Sequence, residues 1–452
     1  MLNRKISPEA AGNISFQLPD IRKTKLNNGL DLLFVGKNNL PIVQVNLVIS
    51  AGSKYEPPDK KGTAYLTSAL IDEGAGKFSA LELDDEIEKL GSVLSTSIDH
   101  DTILISMMTL KENLERSLEL LTMVITEPLF TETDFEREKK KLLTKIIQLK
   151  DEPSYIANIS AEKIIFNGSP YAMPTIGYEE TVNALTNNDI KNFYKEYFTV
   201  DNSAMVVVGN LSEEELSVLL NKHFSVWNNK RKIEEPHIFT RKEKTKVYVI
   251  HRDGSAQSEI RIAHLSAGRD TEDYFAKSIM NSILGGQFSS RINLNLREDK
   301  GYTYGANSSF SYQKGTASFT VSTAVQNENT GNAVKEILKE LENIKQGIDI
   351  SELDFAKSYL VKSFPLMFET YSQVARNLAH LIIHSLPIEY FNDYIDNLEK
   401  QSLEDVENAA KDNIDTEHLC ILAVGDKNVI IPQLEEVVNI KPVELDTNGN
   451  VI

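Results

Sequence analysis

The stretch Gln44–Gly76, QVNLVISAGSKYEPPDKKGTAYLTSALIDEGAG, has a counterpart in Glu259–Gln287, EIRIAHLSAGRDTEDYFAKSIMNSILGGQ. Both read as a strand of alternating character, an Ala-Gly turn, a helix and a glycine break. The correspondence continues along the chain. ETDFEREKKKLLTK from Glu132 matches ELDFAKSYLVKS from Glu352 as a helix start, and AMVVVGNLSEEEL from Ala204 matches CILAVGDKNVIIPQLEEV from Cys420 as a buried strand followed by a helix. The offset stays at about 216 residues, far longer than a solenoid period, so the chain is a duplicated domain.

Each half repeats one order: two or three strands, a helix, strands again, several helices, then a last strand and helix. In the first half SVLSTSIDHDTILISMMTL alternates polar and apolar residues as a half-buried antiparallel pair does, and the second half answers with YTYGANSSFSYQKGTASFTVSTAV. Strands grouped apart from helices predict an α+β architecture of two homologous domains, each a mostly antiparallel sheet with helices packed on one face. The charged run NNKRKIEEPHIFTRKEKTK has little to bury. It is the expected linker, residues 228–246, between an N-terminal domain, 1–227, and a C-terminal domain, 247–452.

Composition narrows the class of function. The 452 residues, 41% of them apolar, are too many for one ordinary core. Acidic residues outnumber basic ones, 66 to 48, and the net charge of -18 argues against nucleic acid or an anionic membrane as main partner. The same charge would favour basic peptides. The N-terminal MLNRKISPEAAGNISFQLPD lacks an apolar signal core and no stretch is long enough to span a bilayer. The default compartment is the cytoplasm, or the periplasm or an organelle if a targeting segment has been removed. The single cysteine, Cys420, lies in the apolar run HLCILAVG and is expected to be buried and unreactive.

Several chemical signals have bland readings. Gly74-Ala75-Gly76 and Gly285-Gly286 follow helices, whereas a phosphate-binding loop follows a strand and opens a helix, so they are expected to be helix ends. Among eight histidines, His380 and His384 have the i, i+4 spacing that puts two imidazoles on one helix face. No acidic third ligand follows them. His100 is flanked by Asp99 and Asp101, whose side chains diverge from it on extended backbone.

One segment is harder to dismiss. Leu284–Gly305, LGGQFSSRINLNLREDKGYTYG, brings Arg297 and Tyr304 close together in sequence after a helix. A guanidinium and a phenol hydroxyl are both donors, and aimed into one cleft they could hold a peptide carbonyl and stabilise its oxyanion. Tyr302 lies on the same strand face by period two and is the main competitor for the phenol role.

With this segment at its most specific point, the chain resembles the insulinase and pitrilysin type of zinc peptidases, which includes mitochondrial processing peptidases. The resemblance runs over nearly the whole chain, from LNNGLDLLFV at Leu26 through NGSPYAMPTIGYEETVNALTNNDIKNFYKEYF to the final VGD. Such proteins carry His-x-x-Glu-His on the helix after the first Ala-Gly turn and a distant Glu as third ligand. The two imidazoles, one helical turn apart, bind zinc, and the Glu activates the zinc-bound water.

The match breaks down at the metal. The corresponding helix places Tyr65 and Ala69 at the two His positions and Ser68 at the Glu position, and the third-ligand position falls on Lys145, with Glu138 one to two turns earlier. The resemblance therefore implies a chain that binds no zinc itself. Its Arg297 and Tyr304 would reach peptide substrate held at the zinc of a homologous partner subunit, as in peptidases whose two chains share the work. The alternative is a structural or peptide-binding homologue without catalysis.

Overall fold

A computed structural model describes residues 16–452. Most of the N-terminal stretch read for a signal segment lies outside them. Among the described residues no helix is long and apolar enough to cross a membrane.

The duplication is visible in the strand order. The first sheet contains β1 (Ile21–Lys25), β2 (Asp31–Gly36), β3 (Ile42–Ile49), β4 (Val93–Ile98), β5 (Ile103–Leu110) and β6 (Ser203–Gly209). The second contains β7 (Lys246–His251), β8 (Gln257–Ser266), β9 (Ala306–Gln313), β10 (Thr316–Gln326), β11 (Cys420–Gly425) and β12 (Val443–Leu445). Their orders are β1-β2-β6-β3-β5-β4 and β12-β7-β11-β8-β10-β9, so five strands correspond one to one. The sixth differs in origin. The first sheet takes its outer strand from the N-terminal side, antiparallel to β2, and the second takes it from the C-terminal end, parallel to β7. Most pairings are antiparallel, with β2·β6 and β7·β11 the parallel pairs they share.

Each half packs its own helices on one sheet face, as expected, but the opposite face is not left to solvent. In β2 and β6, Leu32, Phe34, Met205 and Val207 enter the first half's core. The alternating residues Leu33, Val35, Val206 and Val208 point the other way and meet Tyr371, Val374, Leu378 and Leu381 on helix Tyr371–Ile383 of the second half. The exchange is reciprocal. Helix Pro153–Ile165 of the first half lays Ile156, Ala157 and Ala161 on Tyr248, Ile250, Leu422 and Val424 of the second sheet. Burying such side chains is worth about 1.5–3 kcal/mol each for the larger aliphatics, so neither half completes its core without the other's helix.

Residues 227–245 carry no regular secondary structure, and Lys246, placed in the linker by sequence, opens β7. Glu235 of this segment ties the halves together by accepting from Lys54 of the first and Lys314 of the second. Beside it, the turns of two equivalent hairpins meet. Asp101, from the β4–β5 turn, pairs with Lys54 Nζ at 2.8 Å, accepts from Tyr171 Oη at 2.7 Å and from the backbone N–H of Lys314 in the β9–β10 turn at 3.2 Å. His100, next to it in that turn, is held by Met173 O.

His264, on β8, is buried and stacked on Phe319 with centroids 5.0 Å apart. Its Nε2 accepts from Asp415 N–H, so Nδ1 carries the proton and donates to Leu265 O. Burial pushes its pKa down to about 4. Because the folded pKa lies below the unfolded one, stability is fully present above about pH 6.5 and is lost as pH falls toward 4, by roughly 3 kcal/mol. We expect urea midpoints to fall across that window, and to fall less steeply in His264→Gln, which keeps an acceptor but cannot titrate.

Candidate functional site

The helix at the metal position, Thr63–Leu70, starts at Gly62, whose φ of +100° suits glycine, and an added Cβ would come 2.8 Å from Val182. Its first turn is capped from a distance: Glu56 accepts from Ala64 N–H while lying 3.8 Å from Lys61 Nζ, with both side chains buried. Burial raises the Glu56 pKa and lowers that of Lys61, and their mutual attraction opposes both shifts. The helix end is therefore rigidly placed.

On this helix Tyr65 faces helix Glu132–Leu149, where Lys145 donates to Tyr65 Oη at 3.1 Å and stacks over its ring at 5.1 Å. The positions that family spacing assigns to the first and third zinc ligands are thus neighbours in space. They hold a phenol and an ammonium. Ser68 is buried, and its carbonyl accepts from Thr96 of β4. Zinc does not fit this set: an ammonium repels a dication, and an alanine offers no ligand atom. Among the described residues no group of three or more His, Cys, Asp or Glu side chains is arranged to hold a metal. Glu138, buried on the same helix as Lys145, is engaged by Arg137 and Lys141.

The Arg/Tyr segment lies on the second half. After helix Tyr274–Asn281 the chain forms two π-helical stretches, Ser282–Gly286 and Leu294–Asp299, and the second carries Arg297. Gly285 is required there, because a Cβ would sit 2.6 Å from the backbone nitrogen of Ser308. The Arg297 guanidinium stacks 4.5 Å over the exposed ring of Phe288 and lies 3.5 Å from Glu298. The atom nearest Glu298 is Nη1, which is shielded from solvent and, beyond that ion pair, makes no hydrogen bond. A donor in this state is ready for an acceptor brought by a ligand.

Tyr302 and Tyr304 do not share a strand face. β9 begins only at Ala306, and residues 301–305 form a loop closed by Thr303, whose Oγ1 contacts both the carbonyl and the N–H of Gly305. This local turn competes successfully with strand pairing. It sends the two phenols apart: Tyr302 packs on the core, whereas Tyr304 is 94% exposed. No hydrogen bond or ion pair among the described residues joins Arg297 or Tyr304 to the Tyr65–Lys145 pair.

The remaining candidates follow the bland readings. Cys420 is buried in β11, and burial pushes its thiol up to about 12, so it carries no thiolate near neutrality. Gly74 and Gly76 take positive φ after the helix. His380 and His384 stack with centroids 5.7 Å apart. Their neighbourhood holds a cation that sequence reading passed over. Arg269 directly follows the second Ala-Gly turn, and that position was its only signal.

Comparison with known proteins identifies the family. Residues 33–178 match the insulinase (peptidase family M16) profile and residues 184–360 match the peptidase M16 inactive domain. A Helicobacter pylori protein described as the non-peptidase homologue YmxG is 24% identical, over 86% of this chain and 90% of its own. The zinc protease PqqE of the same organism is 25% identical over 83% of this chain and 86% of its own. The crystal structure of a peptidase M16 inactive domain from Pseudomonas fluorescens superimposes with a TM-score of 0.85 at 24% identity, covering 90% of this chain and 98% of the other.

Proposed function

We infer, for a chain that belongs to the insulinase family of M16 peptidases, that it is the zinc-free subunit of a heterodimeric metalloendopeptidase. The observation that carries this reading is the coexistence of two features: a Lys145–Tyr65 contact where zinc ligands would stand, and two donors that make no hydrogen bond within the described residues, Arg297 Nη1, held only by its 3.5 Å ion pair with Glu298, and the exposed Tyr304 hydroxyl. The occurrence in one organism of a non-peptidase homologue and a zinc protease, both similar to this chain, supports a division of labour.

The roles follow from the chemistry of each group. Among the described residues β4 pairs only with β5, which leaves its other edge to add an extended peptide, and it runs beside the helix that carries Tyr65. Arg297 binds a backbone carbonyl of that peptide. Tyr304 donates to the carbonyl oxygen as negative charge develops on it. The attacking water and its metal belong to the partner.

The companion reading, a catalytically silent peptide-holding homologue, draws on the non-peptidase and inactive-domain descriptions of similar proteins. Mixing decides between them. The purified chain and a homologue of the same organism that carries an intact His-x-x-Glu-His are assayed separately and together on unfolded peptides. Cleavage that appears only in the mixture supports the shared peptidase, and no gain on mixing supports the silent homologue.

A further inference from the structure

A pocket of about 380 Å³ opens in the second half between the hairpin strand β9 and helix Tyr371–Ile383. Its walls are largely aromatic, with Tyr274, Phe310, Tyr312 and Tyr394 among them, and its polar lining includes Arg269, Asn377, His380 and His384. This volume suits a group the size of an amino-acid side chain or a small aromatic acid.

Arg269 gives the pocket its sign. The guanidinium lies 3.7 Å over the Tyr274 ring and donates from Nη2 to Tyr390 Oη at 2.9 Å, which fixes its plane. Its Nη1 is shielded from water and has no hydrogen-bond partner. Among the described residues no carboxylate stands within ion-pairing distance, so the charge is held by ring faces and the Tyr390 hydroxyl. A second cation, Lys277, stacks over Phe310 and Tyr312 but is already attracted by Asp273. A part-buried guanidinium without a counter-ion is costly to maintain unless a ligand completes it.

The histidines select the kind of anion. Burial lowers the pKa of both, and that of His384 reaches about 4 with help from its neighbours His380 and Arg269. Near neutrality they are hydrogen-bonding groups rather than charges, so of the side chains that line the pocket Arg269 carries the positive charge. That matches a monoanion, and the planar fork of an arginine matches the two oxygens of a carboxylate. A phosphate dianion would leave charge unbalanced.

We propose that this pocket binds a carboxylate carried on an apolar or aromatic body, with Arg269 as its counter-ion, and that in peptides it takes a C-terminal carboxylate or an acidic side chain. The peptide form rests on the reading of this chain as a peptide-binding family member. The pocket itself does not.

Calorimetric titration of the purified chain with 3-phenylpropanoate and with its amide tests the pocket. The acid is expected to bind at least about 10-fold more tightly, the preference is expected to vanish in Arg269→Gln, and Arg269→Lys should keep only part of it. Equal binding of acid and amide, no binding of either, or an undiminished preference in Arg269→Gln would overturn the proposal. If Arg269→Gln does not fold, the acid-over-amide ratio of the unaltered chain still decides. A decapeptide with a free C-terminus, its amide, and the amide carrying one Glu then identify which carboxylate is taken. These titrations need no partner and no catalysis, so failure to form an active pair leaves them intact, and failure here leaves the shared peptidase untouched.

Discussion

Tyr304→Phe is expected to lower turnover of the mixed, two-chain peptidase by about 100-fold or more while leaving KM nearly unchanged. The substitution removes one hydroxyl from a side chain that is 94% exposed, so stability should not move. Arg297→Ala should act differently. Its guanidinium engages the peptide before and during reaction, so KM rises together with the loss of turnover, and the Phe288 ring it covers becomes free. Steady-state kinetics of the mixture with each variant measures both. Unchanged kcat in Tyr304→Phe and unchanged kcat/KM in Arg297→Ala would remove the assigned roles.

The second large effect concerns the junction of the halves. Asp101→Ala should cost about 3–5 kcal/mol, because it leaves the buried Lys54 ammonium with only the half-exposed Glu235 and strips an acceptor from Tyr171 Oη and from Lys314 N–H. The Lys54 and Asp101 side chains are 1% and 9% exposed, so water cannot substitute readily. Replacing both, as Lys54→Met with Asp101→Leu, should recover part of the loss, since no uncompensated charge then stays buried. Urea unfolding of the single and double variants checks this, and a loss below about 1 kcal/mol in Asp101→Ala would contradict the account of the junction.

These two sites differ in how far sequence reveals them. The duplication was legible because strand, Ala-Gly turn, helix and glycine recur in order, and this fixes five corresponding strands in each sheet. The exchanged helices were not anticipated, although Leu32–Val35 and Met205–Val208 carried the signal. A strand buried on both faces reads as an unbroken apolar run, not an alternation. The misplacement of Tyr302 and Tyr304 on a strand has a local cause, since period two is blind to the Thr303 hydroxyl closing its own turn.

At the candidate site, Tyr65 and Lys145, which family spacing assigns to metal positions, touch across 80 residues. The Asp101 network and the Arg269 pocket lay beyond reach for a common reason. Their partners come from distant parts of the chain, 143 residues apart for Tyr171 and Lys314 and 121 for Arg269 and Tyr390, and nothing in local pattern pairs them.

Metal analysis of the purified chain, paired with a cleavage assay on unfolded peptides, tests the central claim most directly. A chain whose ligand positions hold Tyr65, Ser68, Ala69 and Lys145 is predicted to retain well under one zinc per molecule after exposure to the metal, and to cleave nothing alone. One zinc per chain together with chelator-sensitive cleavage by the pure protein would contradict it.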